Sequence, residues 1–111
     1  PNRTFELRTY TTTAAELDKL HGLFERHSGR FFIKYGIQVI ALLTPQTSNE
    51  APTQLVCLLA HESRATAIDN WRSFDDDSRW QQFVREAGVD PSVISQVEIK
   101  YFDPTFYSPM K

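Results

Sequence analysis

At 111 residues the chain has room for one domain, and its 41% apolar content is enough to form a hydrophobic core. Its 12 basic and 14 acidic residues are mixed along the sequence, which excludes the basic stripe typical of a nucleic-acid-binding protein. The longest apolar runs, Val39–Leu43 and Leu55–Ala60, are too short to span a bilayer. Cys57 is the only cysteine, so an intrachain disulfide is impossible and a reducing, cytoplasmic location is expected.

The first predicted element is a strand over Thr4–Tyr10, in which residues of different polarity alternate. Its two faces carry Phe5, Leu7 and Thr9, and Glu6, Arg8 and Tyr10, respectively. An apolar face is common in a first strand. Two opposite charges and a tyrosine on the other face are unusual if the strand lies in the middle of a sheet, because buried charges must find partners.

A long amphipathic helix is predicted next, between Thr13 and Gly36. Thr13 and Glu16 form a capping box at its start, and Gly36 is placed to end it. The apolar positions recur with helical spacing and form one stripe, which consists of Leu17, Leu20, Phe24, Phe31 and Tyr35. The spacing therefore predicts that this stripe packs against the sheet.

Two further strands, Ile37–Thr44 and Leu55–Ala60, are predicted after this helix. The polar loop Gln46–Pro52 joins them as in a hairpin. Unlike the first strand, both are apolar at nearly every position. Such a pattern predicts strands that are covered on both faces of the sheet.

The second helical region is predicted in two pieces. Ser63 can cap the first piece, and the acidic run Asp75–Asp77 interrupts its apolar pattern. Ser78 and Gln81 form a capping box for the second piece, which Gly88 ends. The acidic run lacks the alternating spacing of a calcium loop and is therefore interpreted as helix capping.

The chain is predicted to end with a loop, a strand and a tail. The loop Val89–Pro91 leads to the last strand, Ser95–Phe102, and the tail Asp103–Lys111 follows. Three residues of the tail are too apolar for a free terminus, namely Phe106, Tyr107 and Met110. The tail is therefore predicted to be ordered and packed.

The predicted order of elements is β-α-β-β-α-β, the ferredoxin-like pattern of an α+β protein. Right-handed connections place strands one and three at the centre of a four-stranded antiparallel sheet, with both helices on one face. The other face then exposes Ile40, Leu42, Leu55 and Leu59 or, in the opposite register, their neighbours. A patch of this size predicts a homodimer through the open sheet face.

Several segments in the same order along the chain resemble the NIPSNAP family. They are FELRTY at Phe5–Tyr10, the helix residues Phe24 to His27, the KYGI turn at Lys34–Ile37, Glu62-Ser63, DDSRWQQF at Asp76–Phe83 and PTFYSPM at Pro104–Met110. The tail is the most specific of these, being similar to a PTxFSPL ending in the family. The resemblance covers almost the whole of residues 1–111 as one domain.

The resemblance implies a ferredoxin-like fold that dimerises into an α/β barrel, and it implies little chemistry. The wider superfamily includes cofactor-free monooxygenases, haem-degrading enzymes and lactone isomerases, which is an analogy of fold alone. The family often has a histidine and then a large aromatic residue along strand three, where this chain has Cys57 and Leu59. A family activity that depends on those two residues would be absent or altered here.

The main candidate site consists of Glu6, Arg8 and Tyr10, which are predicted to face the inside of the dimer barrel. They could line a site for a small molecule, with Arg8 meeting an anionic group. Alternatively, they could form an internal ion pair and hydrogen-bond network that satisfies itself.

Three further residues are candidates for ligand binding or catalysis. His27 is a general-base candidate, although a core histidine is the more common interpretation of such a position. His61, at the end of strand three, could reach the barrel mouth but is expected to be solvated. Cys57 could be a nucleophile with His61 as its base, or a small core residue. Because the three histidines form no i, i+4 pair, the sequence predicts no metal site, and it predicts no cofactor.

The sequence leads to two hypotheses of function and leaves open whether the protein is an enzyme. The first is a protein that binds a small molecule in a dimeric α/β barrel, with the possibility of cofactor-free catalysis. The second is an interaction module whose dimer surface or C-terminal tail recruits another protein.

Overall fold

A computed structural model describes residues 1–111 of the protein. Its four strands are β1 (Thr4–Thr11), β2 (Gln38–Leu43), β3 (Gln54–His61) and β4 (Glu98–Phe102). They form one antiparallel sheet in the order β2-β3-β1-β4. This order confirms the ferredoxin-like prediction, in which the first and third strands are central.

The helices that connect the strands form two groups. The first group is one continuous helix in three parts: α1 (Ala14–Leu23), a π-helical turn (Phe24–Ser28) and α2 (Gly29–Lys34). The second group consists of α3 (Arg64–Asp76), α4 (Ser78–Ala87) and the short α5 (Pro91–Ser95). The predicted order β-α-β-β-α-β is thus confirmed. None of these helices has both the length and the apolar composition needed to cross a membrane.

The predicted limits of the first helix are confirmed by its caps. The Thr13 hydroxyl accepts a hydrogen bond from the Glu16 amide at 3.2 Å. Gly36 adopts a positive φ of 70° at the other end, a conformation that favours glycine. Most of the predicted stripe is buried, including Leu17, Leu20, Phe24 and Phe31. The helix therefore covers the central part of the sheet.

The junction between α3 and α4 differs by one residue from the prediction. Asp77, and not Ser78, caps α4, because its carboxylate accepts from the amides of Arg79 at 2.8 Å and Trp80 at 3.4 Å. The same carboxylate is held by the Tyr35 hydroxyl at 2.5 Å and the Lys34 ammonium at 3.0 Å. A carboxylate satisfies helix amides at least as well as a hydroxyl does, and here it also joins α4 to the first helix.

Helix α5 was not predicted, and it shortens the last strand. Asp90 caps this helix by accepting from the Ser92 amide at 2.9 Å, and Pro91 occupies its first turn. The predicted strand Ser95–Phe102 therefore begins only at Glu98. An aspartate followed by proline is a good signal for a helix start, and it outweighs the strand propensity of the residues that follow.

The helices pack on the face of the sheet that carries Glu6, Arg8 and Tyr10. Residues directly opposite each other in neighbouring strands share a face, and Glu6 lies opposite Leu59 while Tyr10 lies opposite Leu55. All four are at most 3% exposed. The prediction that Glu6, Arg8 and Tyr10 face the inside of a dimer barrel is therefore wrong, and so is the primary register that placed Leu55 and Leu59 on the open face.

The open face of the sheet carries the alternate set of residues in strand three. Leu7 of β1 lies opposite Leu58 of β3, and Ala41 of β2 lies on the other side of Leu58. Leu43 lies opposite Val56 in the same layer. A bulge between Val39 and Ala41 shifts the register of β2, so Leu42 lies opposite the buried Cys57 and not on the open face. The part of this surface formed by β1, β2 and β3 is largely apolar, as predicted, although different side chains form it. At the β4 edge of the same surface, Lys100 lies opposite Leu7 and Glu98 lies opposite Thr9.

The C-terminal tail is attached through its backbone but not through its aromatic side chains. The Arg3 amide donates to the Lys111 carbonyl at 2.7 Å, and the Ser108 amide donates to the Thr105 carbonyl at 3.1 Å. Phe106 is 85% exposed and Tyr107 is 74% exposed. The prediction that these side chains pack within the chain is therefore wrong.

Candidate functional site

A cavity of about 620 Å³ lies between the sheet and the second group of helices. It is open to solvent at one side. Its wall is formed by β1, by α3 to α5 and by the segment that enters β4, through Arg8, Asp75, Trp80, Gln81, Val84, Arg85, Pro91, Ile94, Ser95, Val97 and Ile99. The cavity therefore combines an apolar wall with a few charged groups, as small-molecule sites generally do.

Arg8 is the buried charge in the wall of this cavity. The residue is 4% exposed, and its guanidinium carbon lies 3.7 Å from the centre of the Trp71 ring, a close cation–π contact. Its Nη1 donates to Glu6 Oε2 at 3.1 Å. Its Nε is buried and has no hydrogen-bond partner in the chain. Because buried donors are nearly always paired, an unpaired donor here is unusual and marks Arg8 as a candidate functional residue.

Glu6 is fully buried and is satisfied by three donors. Besides Arg8, the Trp71 indole Nε1 donates to Glu6 Oε1 at 2.9 Å, and His61 Nε2 lies 2.6 Å from the same oxygen. Because Glu6 Oε1 already accepts from the Trp71 indole, we assign the hydrogen of this contact to His61 Nε2. Glu6 is therefore the anchor of a network that links β1, β3 and α3.

His61 does not occupy the solvated strand end that the sequence predicted. It is 3% exposed, and its Nδ1 has no hydrogen-bond partner in the chain. At the end of β3, His61 lies opposite Thr4, on the face of the sheet that the helices cover, and next to Glu6. The carboxylate of Glu6 explains this burial, because a paired histidine can leave water at much lower cost than an unpaired one.

Tyr10 and Cys57 are core residues. Burial raises the pKa of Tyr10, which Arg8 partly opposes, and the Tyr10 ring packs edge-on against Phe24 at 5.6 Å. Burial also raises the pKa of the Cys57 thiol to about 12. A thiol with such a pKa is not ionised near neutrality, so the geometry does not support Cys57 as a nucleophile.

His27 lies apart from the network of Glu6, Arg8 and His61. Its ring stacks on Phe83 with 3.7 Å between centres, and its Nδ1 lies 3.0 Å from Arg30 Nη2. It lines a separate cavity of about 190 Å³ beside the π-helical turn. The structure therefore joins four of the six predicted site residues, Glu6, Arg8, Tyr10 and His61, in one region, while His27 is remote and Cys57 is inaccessible.

Sequence reasoning missed Asp75, which lines the cavity together with Arg8. The side chain is accessible from solvent, yet burial by the surrounding protein raises the pKa of its carboxyl, an effect that Arg8 opposes. One signal was available in the sequence. Asp75 follows Trp71 by four residues, on the same side of α3, in a last helical turn where a negative charge is unfavourable. A residue that breaks a local rule in this way often has another role.

The remaining wall residues were missed because they belong to α5 and the segment after it. Ile94, Ser95 and Val97 approach the cavity only because a short helix replaces the predicted loop and the start of the strand.

No group of three or more histidine, cysteine, aspartate or glutamate side chains is placed to hold a metal ion.

Comparison with known proteins places the chain in one family. The NIPSNAP family profile matches residues 5–109. No curated protein sequence matches the chain significantly. Among solved structures, a NIPSNAP family protein of unknown function from Agrobacterium tumefaciens superposes with a TM-score of 0.77 at 16% identity, covering 99% of this chain and 95% of that one.

Two further structures have the same fold. An uncharacterized NIPSNAP-like domain protein from Burkholderia xenovorans superposes with a TM-score of 0.75 at 18% identity, covering 97% of this chain and 90% of that one. A monooxygenase from Streptomyces coelicolor in complex with the ligand nanaomycin D superposes with a TM-score of 0.58 at 13% identity, covering 94% and 88%. Identities this low show the fold alone. The family profile spans nearly the whole sequence, so the chain belongs to the NIPSNAP family.

Proposed function

We propose that this NIPSNAP protein is a homodimeric, single-domain protein that binds a small, largely apolar molecule in the cavity between sheet and helices. The observation that carries the proposal is the cavity of about 620 Å³, with Arg8 in its wall and one buried donor of Arg8 without a partner. The volume is in the range of known small-molecule sites, about 300–1,000 Å³.

The wall of the cavity indicates the general character of the ligand. Trp80, Val84, Ile94 and Val97 give it an apolar surface, and burial of apolar ligand area there contributes about 25 cal/mol per Å². Arg8 can orient the ligand by donating to one of its oxygen atoms. Its guanidinium is held by Glu6 and Trp71 in advance, so little conformational entropy is lost when the ligand binds.

The open face of the sheet supports the homodimer. Leu7, Val56 and Leu58 lie on it, half-buried within the chain, and Leu43 beside them is 50% exposed. Exposed apolar patches of this kind in soluble proteins generally mark interfaces. A second copy packed sheet to sheet would cover the patch and complete an α/β barrel. The cavity of each protomer would then lie outside the barrel, between its sheet and its helices.

Cofactor-free catalysis is compatible with this site. Asp75 is a carboxylate in the same cavity wall as Arg8, and burial raises its pKa above the usual value, which favours a role in proton transfer. The S. coelicolor monooxygenase, a chain of the same fold, is in complex with the ligand nanaomycin D. A cytoplasmic location suits Cys57, a buried free thiol.

A pair of matched isoleucine variants tests binding in the cavity. Ile94→Trp fills the cavity, whereas Ile33→Trp is the same change at a position that is 84% exposed and remote from it. Titration with 2-naphthol, followed by its fluorescence, should show binding to the wild type and to Ile33→Trp, and at least tenfold weaker binding to Ile94→Trp. Native mass spectrometry of the same samples reports the dimer and any ligand that co-purifies. Equal binding by all three proteins, or none by the wild type, would contradict the proposal.

The C-terminal tail supports a second candidate function, a module that binds another protein. Phe106 and Tyr107 are 85% and 74% exposed, and their rings pack edge-on against each other with 5.1 Å between centres. Exposed aromatic pairs are typical anchors of protein interfaces. Replacing both by alanine separates the two functions: if 2-naphthol binding and the dimer are unchanged, the tail has no part in the cavity or in the contact between copies.

A further inference from the structure

Arg8 and Asp75 approach the cavity from different elements and carry opposite charges. Arg8 lies on the central strand β1, and Asp75 lies in the last turn of α3. The backbone carbonyl of Asp75 accepts a hydrogen bond from Gln81 Nε2 at 3.0 Å. Its carboxylate makes no ion pair within the chain and can accept from a ligand, while Arg8 lines the same cavity and can donate. The two residues present a complementary donor and acceptor in an otherwise apolar cavity.

The charges around Asp75 restrict what kind of ligand fits. Glu6 neutralises Arg8 through their contact at 3.1 Å, so Asp75 leaves this part of the cavity with one net negative charge. Asp76 on the same helix adds a further negative charge outside the cavity. Arg85 of α4 adds a positive charge to the wall of the cavity and is exposed, as Asp75 is, so water weakens the effect of both charges. A ligand carboxylate would meet an arginine that is already paired and an aspartate that repels it.

We propose that the cavity selects an uncharged hydroxyl compound of the phenol or enol class over a carboxylate of the same shape, and that Asp75 determines this selection. The ligand hydroxyl donates its hydrogen to the Asp75 carboxylate, and the ligand oxygen accepts from the Arg8 guanidinium. No bond to the ligand is formed or broken in this recognition step. The inference rests on the proposed function, because it names the ligand class of the same cavity.

The protonation of Asp75 gives the two ligand classes different pH dependences. A carboxylate ligand requires Asp75 to take up a proton, and burial, by raising the pKa of Asp75, makes this uptake easier at low pH. Carboxylate affinity should therefore rise about tenfold for each pH unit by which the solution is made more acidic, as long as the pH stays above the pKa of Asp75. A neutral phenol needs no proton uptake, so its affinity should not rise as the solution is made more acidic.

Two probes of the same shape, 2-naphthol and 2-naphthoate, test the selection in the full-length protein. At pH 7 we expect the wild type to bind 2-naphthol at least tenfold more tightly than 2-naphthoate. Asp75→Asn should remove this preference by increasing the affinity for 2-naphthoate about tenfold or more. Asp76→Asn removes the same charge one residue away, outside the cavity, and should leave the preference as it is in the wild type.

The possible results separate the inference from the proposed function. If the wild type binds 2-naphthoate as tightly as 2-naphthol, or if Asp75→Asn and Asp76→Asn change the preference equally, the selection by Asp75 is wrong although the cavity binds ligands. If the wild type binds 2-naphthoate and Arg85→Gln abolishes this binding, the selection by Asp75 is also wrong. If neither probe binds the wild type, the proposed function fails and the inference with it. The pH dependence of the wild type alone provides a measurement that does not depend on the folding of any variant.

Discussion

Strand β1 has two faces that differ in both polarity and cover. Glu6, Arg8 and Tyr10 are polar or charged, yet the helices cover them and leave each at most 4% exposed. Leu7, on the other face, is apolar and has no helix over it. In an ordinary sheet with one covered face the pattern is reversed, with apolar residues toward the helices and polar residues toward water.

The two faces of β1 need different partners. A buried polar face must be satisfied by partners, and Glu6 finds three of them, whereas Arg8 keeps one buried donor free. An exposed apolar face must be covered by something outside the chain. The free donor of Arg8 supports the proposed ligand site, and the uncovered apolar face supports the proposed dimer. Strand β1 therefore contributes to both parts of the proposed function.

The largest effect is expected from a charge on the open face. Leu58→Asp places a carboxylate at the centre of the proposed dimer interface, where an unpaired charge costs several kcal/mol, on the order of 3–5. We expect the variant to be monomeric, aggregated or unfolded in light scattering. Ile33→Asp, at a position 84% exposed on α2, serves as the control and should remain dimeric. A wild type that is a compact monomer at micromolar concentration would show that the open face needs no partner.

The next largest effect comes from the covered face, and it should be asymmetric. Glu6→Gln removes the charge that neutralises the buried Arg8, which should destabilise the protein by about 3–5 kcal/mol. Arg8→Met should cost less, about 1–3 kcal/mol, because Trp71 and His61 still donate to Glu6. The free energy of unfolding from urea titration measures both values.

The double variant of Glu6 and Arg8 shows how strongly the two residues are coupled. If the pair is purely structural, its double replacement by apolar residues should recover much of the loss, since neither charge is then left unpaired. Equal costs for the two single variants would contradict the asymmetry. A large loss of 2-naphthol binding in Arg8→Met, at little cost in stability, would instead assign Arg8 mainly to the ligand.

The sequence predicted the elements of this fold better than the use of their faces. Caps at Thr13 and Ser63 and turns at Gly36 and Gly88 are local signals, and each of them is at the predicted place in the structure. The alternation in Thr4–Tyr10 shows that the strand has two faces, but it does not say which one the helices cover. That choice depends on partners such as Trp71, which is distant in sequence and donates to Glu6.

The candidate site was predictable in part for the same reason. Glu6 and Arg8 stood out because charges in a central strand break the usual pattern. Asp75 did not, because an aspartate between two helices has a sufficient explanation in capping, and its contact with the cavity depends on the whole fold. Ile94 and Val97 could not be assigned to a wall before α5 was known.

A smaller effect is expected at a polar cluster on the surface, which contrasts with the buried one. Hydrogen bonds from Tyr35 and Lys34 hold the pKa of Asp77 well below its usual range. Because the pKa is lower in the folded protein, the cluster stabilises the protein above about pH 4, the usual range of a carboxyl, and this contribution is lost as the pH falls toward the folded-state value. Asp77→Asn should therefore lower the melting temperature at pH 7, and the difference from the wild type should shrink as the pH falls below 4. If the difference in melting temperature does not depend on pH, the charge of Asp77 does not contribute to the stability of the protein.

The smallest effect is expected at the C-terminal tail. Replacing Phe106 and Tyr107 by serine removes side chains that are 85% and 74% exposed, so the free energy of unfolding should change by no more than about 0.5 kcal/mol for each. Phe102→Ser is the matched control, because Phe102 belongs to β4 and lies opposite Phe5 at the edge of the open face. If a second copy covers that face, Phe102→Ser should cost more than either tail change, and its cost should depend on protein concentration. A tail variant that shows this concentration dependence instead would place Phe106 and Tyr107 inside the dimer interface and leave the open face without its proposed role.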